Sequence, residues 1–233
     1  DQTRYLLNKD SRIFYNQRAS DIVKSIIGCC GLEMGSIAEV PYTIPLLTFE
    51  AATYLDMIGT ALHEAEKRLN RRYVLYDNHG SLVLAALQNT ALDVKLTGKN
   101  AVIDGSREVS IDSEVYTEVK LTQYSVDNPS HRSFTVDNRT NMAKYGRLRC
   151  YQQVDKDYNA AQVQSLAKSI LDYHGSPKQT INIKALGDTR CRSGFRPYIN
   201  LPQIGVDGFY LIRSAEHIIS GDVGHIMKLE CVR

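Results

Sequence analysis

The chain has 233 residues, 43% of them hydrophobic, with 28 basic and 26 acidic side chains, enough for a real core in one large domain or two small ones. A net charge of +2 is too balanced to point to a nucleic-acid groove or an anionic membrane surface, and no apolar run approaches the roughly 18 residues that cross a bilayer. Five cysteines without regular spacing, Cys29 and Cys30 adjacent, argue against a disulfide framework and fit a reducing cytoplasm. No signal peptide is seen, and a first residue of Asp1 instead of Met gives the expectation that the chain is processed or starts inside a longer gene product.

Residues 1–18 hold two short extended pieces, Tyr5-Leu6-Leu7 and Ile13-Phe14-Tyr15, for which no pairing partner is legible. A first helix is expected from a Ser20 cap, with Ile22, Val23, Ile26, Ile27 and Cys30 on one stripe and a stop at Gly31. Residues 32–50, with Pro41 and Pro45, read as a loop with an extended segment at Leu46 to Phe49. A second helix is expected from about Thr53 to Leu69, burying Tyr54, Leu55, Ile58, Leu62, Ala65 and Leu69, with Glu64 and Arg68 as a surface pair one turn apart. Tyr73 to Tyr76 and Ser81 to Leu84 flank Asp77-Asn78-His79-Gly80, which is hairpin chemistry.

From about Ala101 the pattern changes to alternating strands. Val115, Thr117, Val119 and Leu121 oppose Tyr116, Glu118, Lys120 and Thr122. An Asp127-Asn128-Pro129-Ser130 turn leads to a strand at Ser133 to Val136, and a polar crossing from Asp137 to Gly146 precedes another at Arg147 to Val154. The one helix among these strands has full punctuation: Asn159 as cap, Gln162 three residues later, Val163, Leu166, Ala167, Ile170 and Leu171 as the buried face, then Gly175 and Pro177. Ile181, Ile183 and Ala185 define the core side of the next strand, before the turn Gly187 to Gly194. A long hairpin closes the chain, Phe209 to Ile219 against Ile226 to Val232, with Met227, Leu229 and Cys231 inward. The expected class is α+β: a two-helix plus hairpin unit over residues 19–95, then an antiparallel β-barrel over residues 101–233 that carries the helix at 159–174.

Chemistry-bearing patterns are sparse. His63-Glu64-Ala65-Glu66-Lys67 starts like a zinc helix, but Lys67 stands where the second histidine belongs. Gly98-Lys99-Asn100 lacks the glycine and hydroxyl of a phosphate loop and reads as a loop, and Asp104-Gly105-Ser106-Arg107 reads as a tight turn before a strand. The remaining histidines, His79, His131, His174, His217 and His225, are scattered. Arg190, Arg192 and Arg196 lie close to Phe195 and Tyr198, which leaves three readings: a nucleic-acid surface, a charged strand rim, or an edge between subunits. The expectation is no catalytic residue, no cofactor and no metal site.

Several stretches, in their order, resemble the XkdQ/YqbQ family of baseplate hub proteins of contractile phage tails. They are Tyr5-Leu6-Leu7-Asn8-Lys9, Ala19-Ser20-Asp21-Ile22-Val23 ahead of Cys30-Gly31-Leu32, Tyr54-Leu55-Asp56-Met57-Ile58, Gly146-Arg147-Leu148, Gly187-Asp188 to Arg192-Ser193-Gly194, and Gly208-Phe209-Tyr210-Leu211-Ile212. The resemblance covers nearly the whole chain and implies a structural protein related to the phage late control protein D family. Its barrel would be of the phage tube type, residues 1–18 would be the remnant of a first barrel upstream, and no catalytic residue carries over. The implied partners are two further copies in a homotrimer of the full-length protein, the tail tube, the central spike and other baseplate proteins, with no nucleic acid and no membrane insertion. Such a protein would be made in the bacterial cytoplasm and assembled into the virion tail or a tail-like particle. The alternative kept beside it is a tail-associated cell-wall hydrolase or cell-wall-binding module.

Overall fold

Residues 1–69, 71–111, 115–123, 132–154, 158–222 and 224–232 are described by a computed structural model. Contacts divide the chain into a first unit, Asp1–Asp93 with Gly194–Arg196, and a second, Val94–Ser193 with Pro197–Arg233.

In the first unit a 3-10 turn at Gln2–Leu7 buries Leu6 and is capped by Asp1. It precedes β1 (Lys9–Arg18), α1 (Ala19–Cys29), β2 (Glu33–Ile37), β3 (Thr43–Thr53), α2 (Tyr54–Leu69), β4 (Tyr73–Asn78) and β5 (Ser81–Ala86). The expectation of partnerless extended pieces in residues 1–18 is corrected, because β1 pairs antiparallel with β3 from Lys9↔Thr53 to Arg18↔Thr43. Pro45 hid this strand: it cannot donate to a ladder and is tolerated because the pair is a free-standing ribbon. The extended segment expected at Leu46 to Phe49 lies in β3, and the loop expected around it is confined to residues 38–42, because β2 occupies Glu33–Ile37.

The α1 cap is Arg18 in place of the expected Ser20, whose side chain is buried in the first turn, and the helix ends at Gly31 with φ +63° as the sequence indicates. Thr53 caps α2, accepting from the Asp56 amide at 3.0 Å and donating to the Asp56 carboxylate at 2.6 Å. On α2, Ile58 and Ala65 are buried and Tyr54, Leu62 and Leu69 pack against the core as expected, Met57 and Ala61 join that buried face, and Leu55 alone of the expected set is exposed. Glu64 pairs with Lys67 at 2.7 Å, not with Arg68, whose guanidinium lies over the Tyr42 ring. β4 and β5 form the expected hairpin with Asn78↔Ser81, and His79 and Gly80 both have positive φ, as a two-residue turn of this hand requires. The core joins α1, α2 and the inner faces of these strands around Ile22, Ile26, Ile27, Met57, Ile58, Leu82 and Leu84.

β6 (Ala91–Thr97) runs into the second unit, which continues through β7 (Val102–Ser110), β8 (Glu118–Gln123), β9 (Arg132–Asp137), α3 (Arg139–Tyr145), β10 (Arg149–Val154), α4 (Ala160–His174), β11 (Lys178–Leu186), β12 (Arg196–Leu201), β13 (Val206–Phe209), β14 (Leu211–Ser220) and β15 (Gly224–Val232). The strands form three sheets, in the orders β14-β15-β11-β7, β10-β8-β9 and β13-β12-β6. The α+β class holds, but the closed antiparallel barrel expected over residues 101–233 is corrected: the sheets are open. A small barrel closes on roughly eight strands, and no sheet among the described residues has more than four. Alternation in sequence places a strand's two faces but does not state which edges meet.

Two further differences follow. β10 is parallel to β8, with Arg149↔Glu118. The polar crossing at residues 137–146 contains α3, capped by the Asn138 side chain on the Asn141 amide at 3.0 Å. It buries none of its residues, so no apolar stripe announced it. The turn expected at Asp127 to Ser130 lies outside the described residues. α4 is built as the sequence indicates, with a reciprocal cap between Asn159 and Gln162. Val163, Ala167 and Leu171 pack on Val119, Leu121 and Cys150 of the β10-β8-β9 sheet.

Candidate assembly surface

The four-stranded sheet begins from a simple pattern. On β11, Ile181, Ile183 and Ala185 are buried while Asn182 and Lys184 are exposed, and on β15 Met227, Leu229 and Cys231 repeat the buried set. Registers Ile181↔Cys231, Ile183↔Leu229 and Ala185↔Met227 put these on one apolar face. The opposite face is polar, with Lys228 on Glu216 at 3.0 Å and Arg213 on Glu230 at 3.4 Å. The closing hairpin is in place as β14 and β15, joined at Ser220↔Gly224, but a register shift between Ile212 and Ser214 breaks the expected uniform alternation.

The sheet's edges are its most distinctive feature. Among the described residues β7 and β14 each pair on one side only. All three internal pairings are antiparallel, so four strands leave the two edges running in opposite directions. β7 exposes Ile103 and Val109 at 53% and 51%, and β14 exposes Ile219 at 74%. Long unpaired edges with apolar side chains are templates for strand addition. Asp104-Gly105-Ser106-Arg107 lies within β7, with Gly105 opposite Ile183, and not in the turn expected there. Gly98-Lys99-Asn100 is the expected loop, closed by Asn100 accepting from Thr97.

The turn Gly187 to Gly194 follows β11 directly. His217 and His225 meet across the hairpin, Nδ1 to Nε2, at 2.9 Å, and His217 Nε2 reaches the Cys191 carbonyl at 2.8 Å. The carbonyl only accepts, so His217 donates from Nε2 and, when neutral, accepts from His225. The Gly187 amide donates to the His225 carbonyl at 2.8 Å, and a Cβ at Gly187 would overlap the His225 ring. Arg190 grips Asp188 through two nitrogens, at 2.7 and 3.0 Å, which holds the Asp188 carboxyl below its ordinary value. Burial pushes the Cys191 thiol up to about 11 and the Cys231 thiol, also raised by Cys191, up to about 12. Both are inert packing groups at neutral pH.

The arginines and aromatics read together from the sequence divide between the two units. Arg190 is held by Asp188, and Tyr198 donates to Asp207 at 2.7 Å and stacks edge-on with Phe209. Phe195 and Arg196 belong to the first unit, Phe195 edge-on to Tyr76 and the Arg196 amide on the Thr90 carbonyl at 2.9 Å. His63 sits on α2 with Glu66 at 3.9 Å, and among the described residues no group of three or more His, Cys, Asp or Glu is placed to hold a metal ion. No helix among them is long and apolar enough to cross a membrane.

Two constellations escaped the sequence reading. In the first unit Asp10 accepts from Arg12 at 2.8 Å and from Tyr54 at 3.0 Å, and Arg12 also reaches Cys29. The pairing with Arg12 lowers the Asp10 carboxyl, and the bond to Asp10 raises the Tyr54 hydroxyl to about 12. In the second, the buried Glu118 carboxylate holds both Arg149 and Arg147, the latter at 3.4 Å. Glu118 stands with Lys120 and Thr122 in the polar set of the alternation, so nothing local marked it as buried.

A family model described as YQBQ-like matches residues 1–232. The chain is 34% identical over 236 aligned positions to YqbQ of Bacillus subtilis (strain 168), covering 100% of this chain and 71% of that protein. It is 31% identical over the same length to the phage-like element PBSX protein XkdQ of that strain, again covering 100% and 71%. Among solved structures, the 43 kDa tail protein of prophage MuSo2 from Shewanella oneidensis matches with a TM-score of 0.69 at 15% identity, covering 100% of this chain and 72% of that one.

Proposed function

The chain belongs to the YQBQ-like family, and from that premise we propose that it is a noncatalytic hub of a phage tail or tail-like particle, joining the tail tube to the central spike. One relative is named as part of a phage-like element, and a solved tail protein shares the fold over the whole chain. The observation that carries the reading is the open sheet β14-β15-β11-β7. Its edges run in opposite directions, so β7 of one copy can meet β14 of the next with antiparallel pairing preserved around a ring. Closure that four strands cannot achieve alone is then achieved by the assembly.

Residues 101–233 are the ring-forming part, and the full-length protein is a homotrimer. Partners are the tail tube, the spike and other baseplate proteins. Light scattering on the complete gene product tests it. A trimer that binds tube or spike protein is the expected result; a monomer that binds neither, and releases fragments from purified peptidoglycan, would replace the hub by a cell-wall hydrolase.

A further inference from the structure

A different sheet of the second unit carries a second surface, independent of the ring. β10 is an edge strand of β10-β8-β9, and α4 covers only one face of that sheet. The other face has Arg149, Tyr151 and Gln153 in a row beside Glu118, Lys120 and Thr122, by the registers Arg149↔Glu118, Tyr151↔Lys120 and Gln153↔Thr122. Arg147 precedes this row two residues before Arg149. The Glu118 side chain is 5% exposed, while those of Arg147 and Arg149 are 63% and 44% exposed. Each guanidinium meets Glu118 through its Nε. Gly146, with φ +80°, and Leu148 are tied to Thr117, whose hydroxyl donates to the Gly146 carbonyl and accepts from the Leu148 amide, both at 2.8 Å. The two cations are thus pre-positioned on a fixed backbone.

Among the described residues their charge is not cancelled. Arg147, Arg149 and Lys120 share this face with one buried carboxylate already engaged by both arginines and with Asp137, which has Arg139 at 3.8 Å. Arginines two residues apart along an extended chain stand roughly 7 Å apart, the repeat of alternate side chains on a partner strand. Beside them the outer edge of β10 has no ladder partner among the described residues. We propose that β10 takes up an extended acidic segment of a partner protein as an added strand, with carboxylates at alternate positions on Arg147 and Arg149. Single-stranded nucleic acid fits less well, because Tyr151 is the one exposed aromatic in the row and a base-stacking platform needs several in succession.

The test is fluorescence anisotropy with the whole chain and an alternating Thr-Glu peptide about eight residues long, against Thr-Gln and Thr-Lys peptides of equal length and an oligothymidylate. The Thr-Glu peptide is expected to bind and the Thr-Lys peptide not to. The double variant R147Q/R149Q should weaken binding at least about tenfold, as loss of charge-assisted hydrogen bonds implies. That variant leaves Glu118 without its partners, so a second probe spares the protein: the same peptide N-methylated at alternate amides should lose binding if it adds as a strand. No binding of the Thr-Glu peptide, equal binding of the N-methylated one, or arginine-dependent binding of oligothymidylate alone would each overturn the proposal. A monomeric full-length product would sink the ring reading and leave this one standing.

Discussion

Single residues decide the turn that follows β11. Gly187 has no side chain because the His225 ring occupies the place where a Cβ would project, and overpacking of this kind costs about 1–3 kcal/mol. The expected outcome for Gly187→Ala is an unfolding free energy in urea lower by that amount, whereas Gly221→Ala, with open space around it, should stay within about 0.5 kcal/mol. Asp188 gives a pH dependence. Its folded-state carboxyl lies below its ordinary value because Arg190 bonds the charged form, so its stabilisation is complete above the unfolded carboxylate value and is lost as pH falls through the lower folded one. Melting curves taken from neutral pH into the acid range should show Arg190→Gln losing less stability on acidification than the parent chain. Neither effect was legible beforehand: the sequence marked the turn by its glycines and arginines, but which ring fills Gly187 depends on a hairpin 38 residues further on.

At the scale of elements, local chemistry was readable wherever it was self-contained. The α4 cap is an example, since Asn159 and Gln162 satisfy each other within one turn. Asn159→Ala should therefore cost about 1 kcal/mol, with amide exchange accelerating first in the opening turn of α4. The hairpin from Tyr73 to Ala86 was legible for the same reason. α3 and the β1–β3 ribbon were not. One is a polar helix with no buried face, and the other joins strands separated by a helix and a further strand and interrupted by Pro45. The parallel pairing of β10 with β8 likewise follows from a crossover, and crossovers leave no local signature.

For the whole molecule the open edges matter most. If β7 and β14 meet between copies, Ile103→Lys with Val109→Lys should leave the monomer's melting transition within about 1 kcal/mol, since both side chains are exposed. The same pair should shift the full-length product from trimer to monomer in light scattering, because charged edges resist strand addition. By itself the sequence determined the α+β class, the strand faces of β8, β11 and β15, the caps of α4 and the two hairpins, and it carried the ordered family resemblance. These rest on period, propensity and turn chemistry within a few residues. Only the tertiary structure decided that the sheets stay open, that β1 pairs with β3, that Glu118 clamps Arg147 and Arg149, and that the cluster around Arg190 is divided between two units. Each of these depends on which distant backbone edges and side chains meet, and a strand's alternation carries no record of its neighbour.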